Sequence, residues 1–221
     1  MIRIDKYLSN LGYGSRKDVV KLIKDGLVEV NDNLVISPDY KIEWGDDLRI
    51  GEEEFEAKEF VYIALHKPAD YLSSNKPEAK YQSYRSLLDD CPYVNLLSPV
   101  GRLDVDTEGL LLLTNDGDFT HKLISPKKDI YKKYYVKIEK ALNKKDIEKL
   151  ENGLKIDEFI TKPAILETIS DDEIYLSISE GKFHQIKKML EAVDNKVVYL
   201  KRVSIGEYEL GDLKLGEWKY L

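Results

Sequence analysis

The segment Gly101-Arg-Leu-Asp-Val-Asp-Thr-Glu-Gly109 sets three carboxylates, Asp104, Asp106 and Glu108, on alternate positions beside one arginine, Arg102. Four leucines follow it directly. Several readings fit such a group. A polar turn closed by Gly109 would need none of the acids to react. A calcium loop would open on Asp104-x-Asp106, but its twelfth position is Asn115, where the bidentate glutamate belongs. A catalytic carboxylate next to Arg102 would stay ionised at neutral pH, because a nearby guanidinium favours the charged form. An ionised acid is what a nucleophile or base must be. Asp104 and Asp106 as paired carboxylates would suit glycoside hydrolysis, although the basic segments around them suit a sugar poorly.

A loop carrying these acids needs a rigid frame. The run 110–114 reads as an apolar strand ended by Asn115-Asp-Gly117, and 118–124 as a helix that stops before Pro126. Further strands are expected at 60–65, 134–138, 164–169, 174–178 and 197–203, with helices at 144–150 and 184–192. Strands without a regular strand–helix–strand rhythm favour a largely antiparallel sheet with helices packed on it. The first fifty residues form a different pattern. A short helix covers 5–11, and Ser15-Arg-Lys-Asp18 has capping-box form. Val19, Val20, Leu22 and Ile23 give an apolar face, and Gly26 fits the helix stop. Strands at 28–30 and 34–36 flank Asn31-Asp-Asn33, and 48–50 supplies one more. Residues 51–59 break the periodicity and read as an acidic interdomain linker. The expected fold class is α+β: a small ααβ-type domain over 1–50, the linker, and a mainly antiparallel-sheet domain with flanking helices over 60–221.

The chain carries a formal net charge of -7, which alone argues mildly against a nucleic-acid partner. The distribution is uneven. Residues 46–59 hold seven acids against two bases, net -5, whereas 120–149 hold ten lysines against four acids, net +6, and 182–202 hold six bases against two acids, net +4. A polyanion answers to the local patch. Lysine-rich segments are equally at home as solvated helix faces, so charge alone does not choose. Cys91, the single cysteine, excludes an intrachain disulfide framework and fits a reducing cytoplasm as a structural residue. No run of 18 apolar residues and no secretory leader is visible.

Gly101-Arg-Leu-Asp104-x-x-Thr107-x-Gly109-Leu-Leu-Leu-Leu-Thr114-Asn-Asp-Gly117 closely resembles the signature of the RsuA-type pseudouridine synthases. Lys132-Lys-Tyr134-Tyr-Val136, Glu180-Gly-Lys-Phe-His-Gln-Ile-Lys-Lys-Met189, Leu200-Lys-Arg-Val-Ser-Ile-Gly206 and Leu215-Gly-Glu-Trp218 resemble its later segments, in order. Arg3-Ile-Asp-Lys-Tyr-Leu8, Ser15-Arg and Gly26-x-Val28-x-Val30-Asn31 resemble an S4 RNA-binding domain. The resemblance covers nearly the whole chain.

That resemblance implies conversion of one uridine of ribosomal RNA to pseudouridine, without cofactor or metal. It assigns Asp104 as the essential carboxylate, either attacking C1′ or removing the C2′ proton. Tyr134 becomes the residue that packs on the flipped base, and Lys187 the base that pairs with the aspartate. Arg102 helps to extrude the nucleotide, with Lys132, His184 and Gln185 as further substrate contacts. Arg16, Lys17 and Lys21, clustered on the first domain's helix, are the expected RNA grips there. Phe183-His-Gln-Ile-Lys187 looks more like the enzymes of the small subunit, so 16S rRNA is the favoured partner, free or within an assembling subunit. A 23S rRNA enzyme and a non-catalytic assembly factor are the alternatives. The family resemblance suggests a monomer in the cytoplasm. Two departures stand out: His66-Lys-Pro68 in place of Asn-Lys-Pro, and Lys133 in place of the threonine before Tyr134.

Overall fold

Ile4, Tyr7, Leu8 and Leu11 recur at helical spacing and are all buried, so they fold as helix α1 (Ile4–Leu11). The computed structural model describes residues 1–221, the side chain of Pro126 excepted. It divides into one unit of Met1–Val61 with Leu88–Leu97 and a second of Tyr62–Leu87 with Ser98–Leu221. In the first unit Ser15 caps helix α2 (Arg16–Lys24) through the expected capping box, with the Ser15 amide donating to Asp18 at 2.8 Å. A four-stranded sheet follows: β1 (Val28–Val30), β2 (Asn33–Leu34), β3 (Asp47–Ile50) and β4 (Glu53–Glu56), in the order β2-β1-β3-β4.

Three expectations are corrected here. Asn31 and Asp32 both hold positive φ, 50° and 62°, and form a two-residue hairpin loop. Asn33 therefore belongs to the strand, not to the turn. Residues 51–59 are not a bare connector either. β4 pairs with β3 along its length, from Asp47↔Glu56 to Ile50↔Glu53. As an edge strand it leaves Glu53, Glu54 and Glu56 exposed. The charges cost nothing there and discourage pairing with another chain. Residues 88–97 also join this unit, although they fall within the stretch expected for the second domain. The Tyr93 hydroxyl donates to the Glu56 carbonyl at 2.6 Å and the Asn95 amide to the Leu11 carbonyl at 2.8 Å.

The second unit is built on a nine-stranded sheet. Its main strands are β5 (Tyr62–Lys67), β6 (Glu108–Thr114), β7 (Lys132–Ile138), β8 (Ile165–Thr168), β9 (Glu173–Ile178), β10 (Val197–Ile205) and β11 (Trp218–Tyr220). They lie in the order β8-β9-β7-β10-β6-β5-β11, and two short strands pair beside β6 and β10. Every pairing is antiparallel except β6 with β10, which run parallel at Glu108↔Lys201 and Gly109↔Arg202. β6 is central and covered on both faces. That is why Leu110, Leu111, Leu112 and Leu113 run without alternation, each at most 1% exposed. β7 alternates instead, with Lys132, Tyr134, Val136 and Ile138 turned inward. Helices α3 (Gly117–Ile124), α4 (Lys144–Asn152) and α5 (Gln185–Glu191) flank the sheet. Asp116 caps α3 with bonds from the Asp118 and Phe119 amides.

Candidate active site

The acid-bearing loop is held from below before it reaches β6. The Ser73 hydroxyl donates to the Leu103 carbonyl and accepts from the Leu103 amide, both at 3.0 Å, just ahead of Asp104. The Asp104 carbonyl accepts from the Thr107 amide at 3.1 Å and closes a turn. The Val105 carbonyl accepts from the Asp70 amide at 2.8 Å. Beneath lies Lys67 at the end of β5, fully buried. Its ammonium donates to the carbonyls of Pro68 (2.7 Å), Tyr71 (2.8 Å) and, more weakly, Val105 (3.5 Å). Burial pushes the Lys67 ammonium down to about 8, against the opposing pull of Asp106, Glu108, Asp104 and Asp70.

A pH test follows for Lys67. Its folded pKa lies below its unfolded value, so the unfolded chain binds the extra proton between about pH 8 and 10.5. Stability contributed by this group therefore rises with pH through that window, by about 3 kcal/mol at most. The melting temperature of Lys67→Met, compared with the parent from pH 7 to 10, should lose that relative rise. Parallel curves would show that Lys67 is not the buried cation described.

Lys187 comes from α5. Ile186, Met189 and Leu190 fix that helix by their burial and leave Lys187 on the side of the loop. The turn ahead of α5 is held by Glu180, whose carboxylate accepts from the Lys162 amide (2.8 Å) and the Gln185 side chain (2.9 Å). Gln185 is itself 3% exposed and accepts from the Lys182 amide at 3.0 Å. Its polar atoms shape the turn, and the residue also lines the cavity that holds Asp104. His184 takes a left-handed conformation at φ 53° and brings Nε2 to 3.7 Å from Asp104 Oδ2.

Lys187 sits between two acids. Its ammonium lies 2.7 and 2.8 Å from the two oxygens of Asp106 and 3.6 Å from Asp104 Oδ2. The expected Asp104–Lys187 pair is therefore the looser half of a fork, and Asp106 the tighter half. Burial alone would raise the Asp106 carboxyl, yet the hydrogen bond and charge of Lys187 hold it below the usual carboxylate range. Both acids turn to one ammonium. Among the described residues no group of three His, Cys, Asp or Glu side chains could hold a metal ion.

Tyr134 reaches the same place from β7. The register against β10 slips here: Lys133 opposes Ser204 and Tyr134 opposes Arg202, leaving Val203 unmatched. Such a bulge re-aims side chains. Tyr134, Arg102, Asp104, Thr107, His184 and Lys187 line one cavity of about 80 Å³. Arg102 is exposed, and its guanidinium has no partner among the described residues. Lys132 is buried, donates to the Ser179 carbonyl at 3.4 Å, and lines a separate cavity of about 250 Å³ with Arg102 and Tyr134. Burial, then the charges of Arg202 and Lys162, push its ammonium down.

A sequence model for RNA pseudouridylate synthase matches residues 61–192. The chain belongs to that family. A model for the S4 domain matches residues 2–48 of the first unit. An uncharacterised RNA pseudouridine synthase of Bacillus subtilis is 40% identical, covering all of this chain and 95% of the relative. The ribosomal small subunit pseudouridine synthase A of Vibrio parahaemolyticus is 38% identical, over 100% and 96%. The ribosomal large subunit pseudouridine synthase B of Bacillus subtilis is 34% identical, over 100% and 92%. A crystal structure of a pseudouridylate synthase aligns with TM-score 0.70 at 34% identity, over 100% of this chain and 96% of that one. The α+β architecture and the RNA-modifying isomerase class thus rest on sequence and structure together.

Three site residues escaped the sequence reading. Lys67 was legible only as a lysine inside an apolar strand ending in His66-Lys-Pro68. Arg202, 4% exposed, donates from Nε to the Leu110 carbonyl at 2.9 Å and from Nη1 toward the Arg102 carbonyl at 3.5 Å. It ties β10 to the strand and loop that carry the acids. Ser73 gave no signal at all. The departure at His66 has a local account: Nδ1 donates to the Leu213 carbonyl at 2.8 Å, which fixes the tautomer. Arg16, Lys17 and Lys21 stand exposed on α2 of the first unit, with Lys24 on the same helix.

Proposed function

We propose that this protein isomerises one uridine of ribosomal RNA to pseudouridine, with Asp104 as the catalytic carboxylate and 16S rRNA of the small subunit as substrate. The observation that carries this reading is the convergence of Asp104, Tyr134 and Lys187 on one cavity. The C1′–N1 bond breaks, the uracil turns, C5 bonds to C1′, and the C5 proton leaves as N1 gains one. No atom is gained or lost overall. Asp104 serves either route, as nucleophile at C1′ or as base at the C2′ proton, and both need the ionised form beside Lys187. In this reading Tyr134 packs its ring on the extruded base and takes the C5 proton. Extrusion costs a few kcal/mol. Stacking on an aromatic ring returns about 1–3 kcal/mol of it. Arg102, exposed and unpartnered, is free to hold a phosphate with both guanidinium edges.

Small-subunit choice is supported by the relative from Vibrio parahaemolyticus and by Phe183-His-Gln-Ile-Lys187. The second reading, a large-subunit enzyme, draws on the 34% identical relative from Bacillus subtilis. Mapping pseudouridines in cells that lack this protein separates them: a missing 16S position supports the proposal, and a missing 23S position replaces it. The chain acts as a monomer in this proposal, with the first unit gripping RNA through Arg16, Lys17 and Lys21. Changing all three to glutamine should weaken RNA binding. It should also lower the slope of log K against log salt by about 0.7 per lost single-strand phosphate contact. An unchanged slope would remove α2 from the interface.

A further inference from the structure

Phe183 is 70% exposed at the rim of the site. Its ring stacks on His184, with centroids 3.7 Å apart and planes 20° from parallel, and the Lys188 ammonium lies 5.3 Å from its centre. A second cavity, of about 530 Å³, begins here. It shares Arg102, Asp104, His184 and Lys187 with the Tyr134 cavity, but is walled by Phe183, Ser74 and Glu78 in place of Tyr134. Two spaces of unlike size thus meet at one carboxylate, each with its own aromatic wall.

Resting on the proposed reading of the site, we infer that the second cavity holds the nucleobase next to the extruded uridine, stacked on Phe183. The first cavity carries Tyr134 in its wall and receives the extruded uracil in the proposed reading. The base beside it in the chain has lost a stacking partner once the uridine leaves, and the exposed ring of Phe183 replaces that partner. Arg102, exposed on the shared rim and without a guanidinium partner among the described residues, supplies the positive charge that the intervening phosphate needs. Phe183 is then a binding residue acting on the neighbour, not a catalytic one.

Phe183→Ala should raise KM for 16S rRNA transcripts roughly five- to a hundredfold, the range expected for one base stack, with kcat little changed. Phe183→Trp should restore KM, whereas Phe183→Leu, apolar but without a π face, should not. Melting temperatures should be equal across the series, since the ring is exposed. Binding is read in parallel on a single-stranded oligoadenylate containing one uridine, and on the same oligomer with abasic ribose on each side of it. The parent should lose affinity on the abasic oligomer, and Phe183→Ala should lose nothing more. Additive losses, or an unchanged KM and affinity in Phe183→Ala, would overturn the inference. Absent turnover by the parent with this binding pattern intact would instead count against the proposed reaction and leave the stack standing.

Discussion

Asp104→Asn should lower pseudouridine formation by at least about a thousandfold while RNA affinity holds or tightens slightly. The amide keeps the size and the Asp104–Thr107 turn, because that turn uses the Asp104 carbonyl rather than its side chain. It loses the negative oxygen that either route requires. The neighbouring Asp106 cannot substitute, since both of its oxygens are engaged by Lys187. Asp106→Asn is the natural control. It frees Lys187 to close on Asp104, so turnover should survive. Release of tritium from uridine C5 in labelled RNA reads both variants. Comparable turnover by Asp104→Asn would remove that carboxylate from the mechanism.

Gly109→Ala should destabilise the second unit on the order of 3–5 kcal/mol or prevent its folding. A Cβ at this position would lie 2.2 Å from the Arg202 carbonyl oxygen and 2.5 Å from its amide nitrogen. Those are backbone atoms of a paired strand, which cannot swing aside. The φ of 110° adds strain of its own for any side chain. Gly109 faces Arg202 in the short parallel contact between β6 and β10, so the collision falls where the acid loop enters the sheet. Gly117→Ala provides the contrast, because a Cβ there meets nothing within 4 Å and the residue begins a helix. Thermal melting of the two variants should differ widely. Similar melting temperatures would mean that β6 and β10 are not so closely apposed.

Much of the site was legible because its chemistry sits in contiguous runs. Residues 101–117 hold the acids, the glycine that admits a neighbouring strand and the buried strand itself. The four leucines announce a central strand through simple burial. Partners across long stretches of chain were harder to read. Lys187 and Asp106 are 81 residues apart, and a spacing rule could equally pair Lys187 with Asp104. Lys67 reads as a solvated lysine until three carbonyls close around it. β4 was misjudged because dense acid charge usually marks an unpaired connector. An edge strand with only Phe55 half-buried can carry the same charge. Residues 88–97 pack by tertiary bonds from Tyr93 and Asn95, which leave no trace in local periodicity.

The central claim meets its most direct test in the purified chain alone, given unmodified 16S rRNA with no added metal or cofactor. Base-conversion mapping should then show one uridine changed to pseudouridine, with loss of its C5 tritium at one equivalent per RNA. No conversion in 16S rRNA, 23S rRNA or an assembling small subunit would contradict the account.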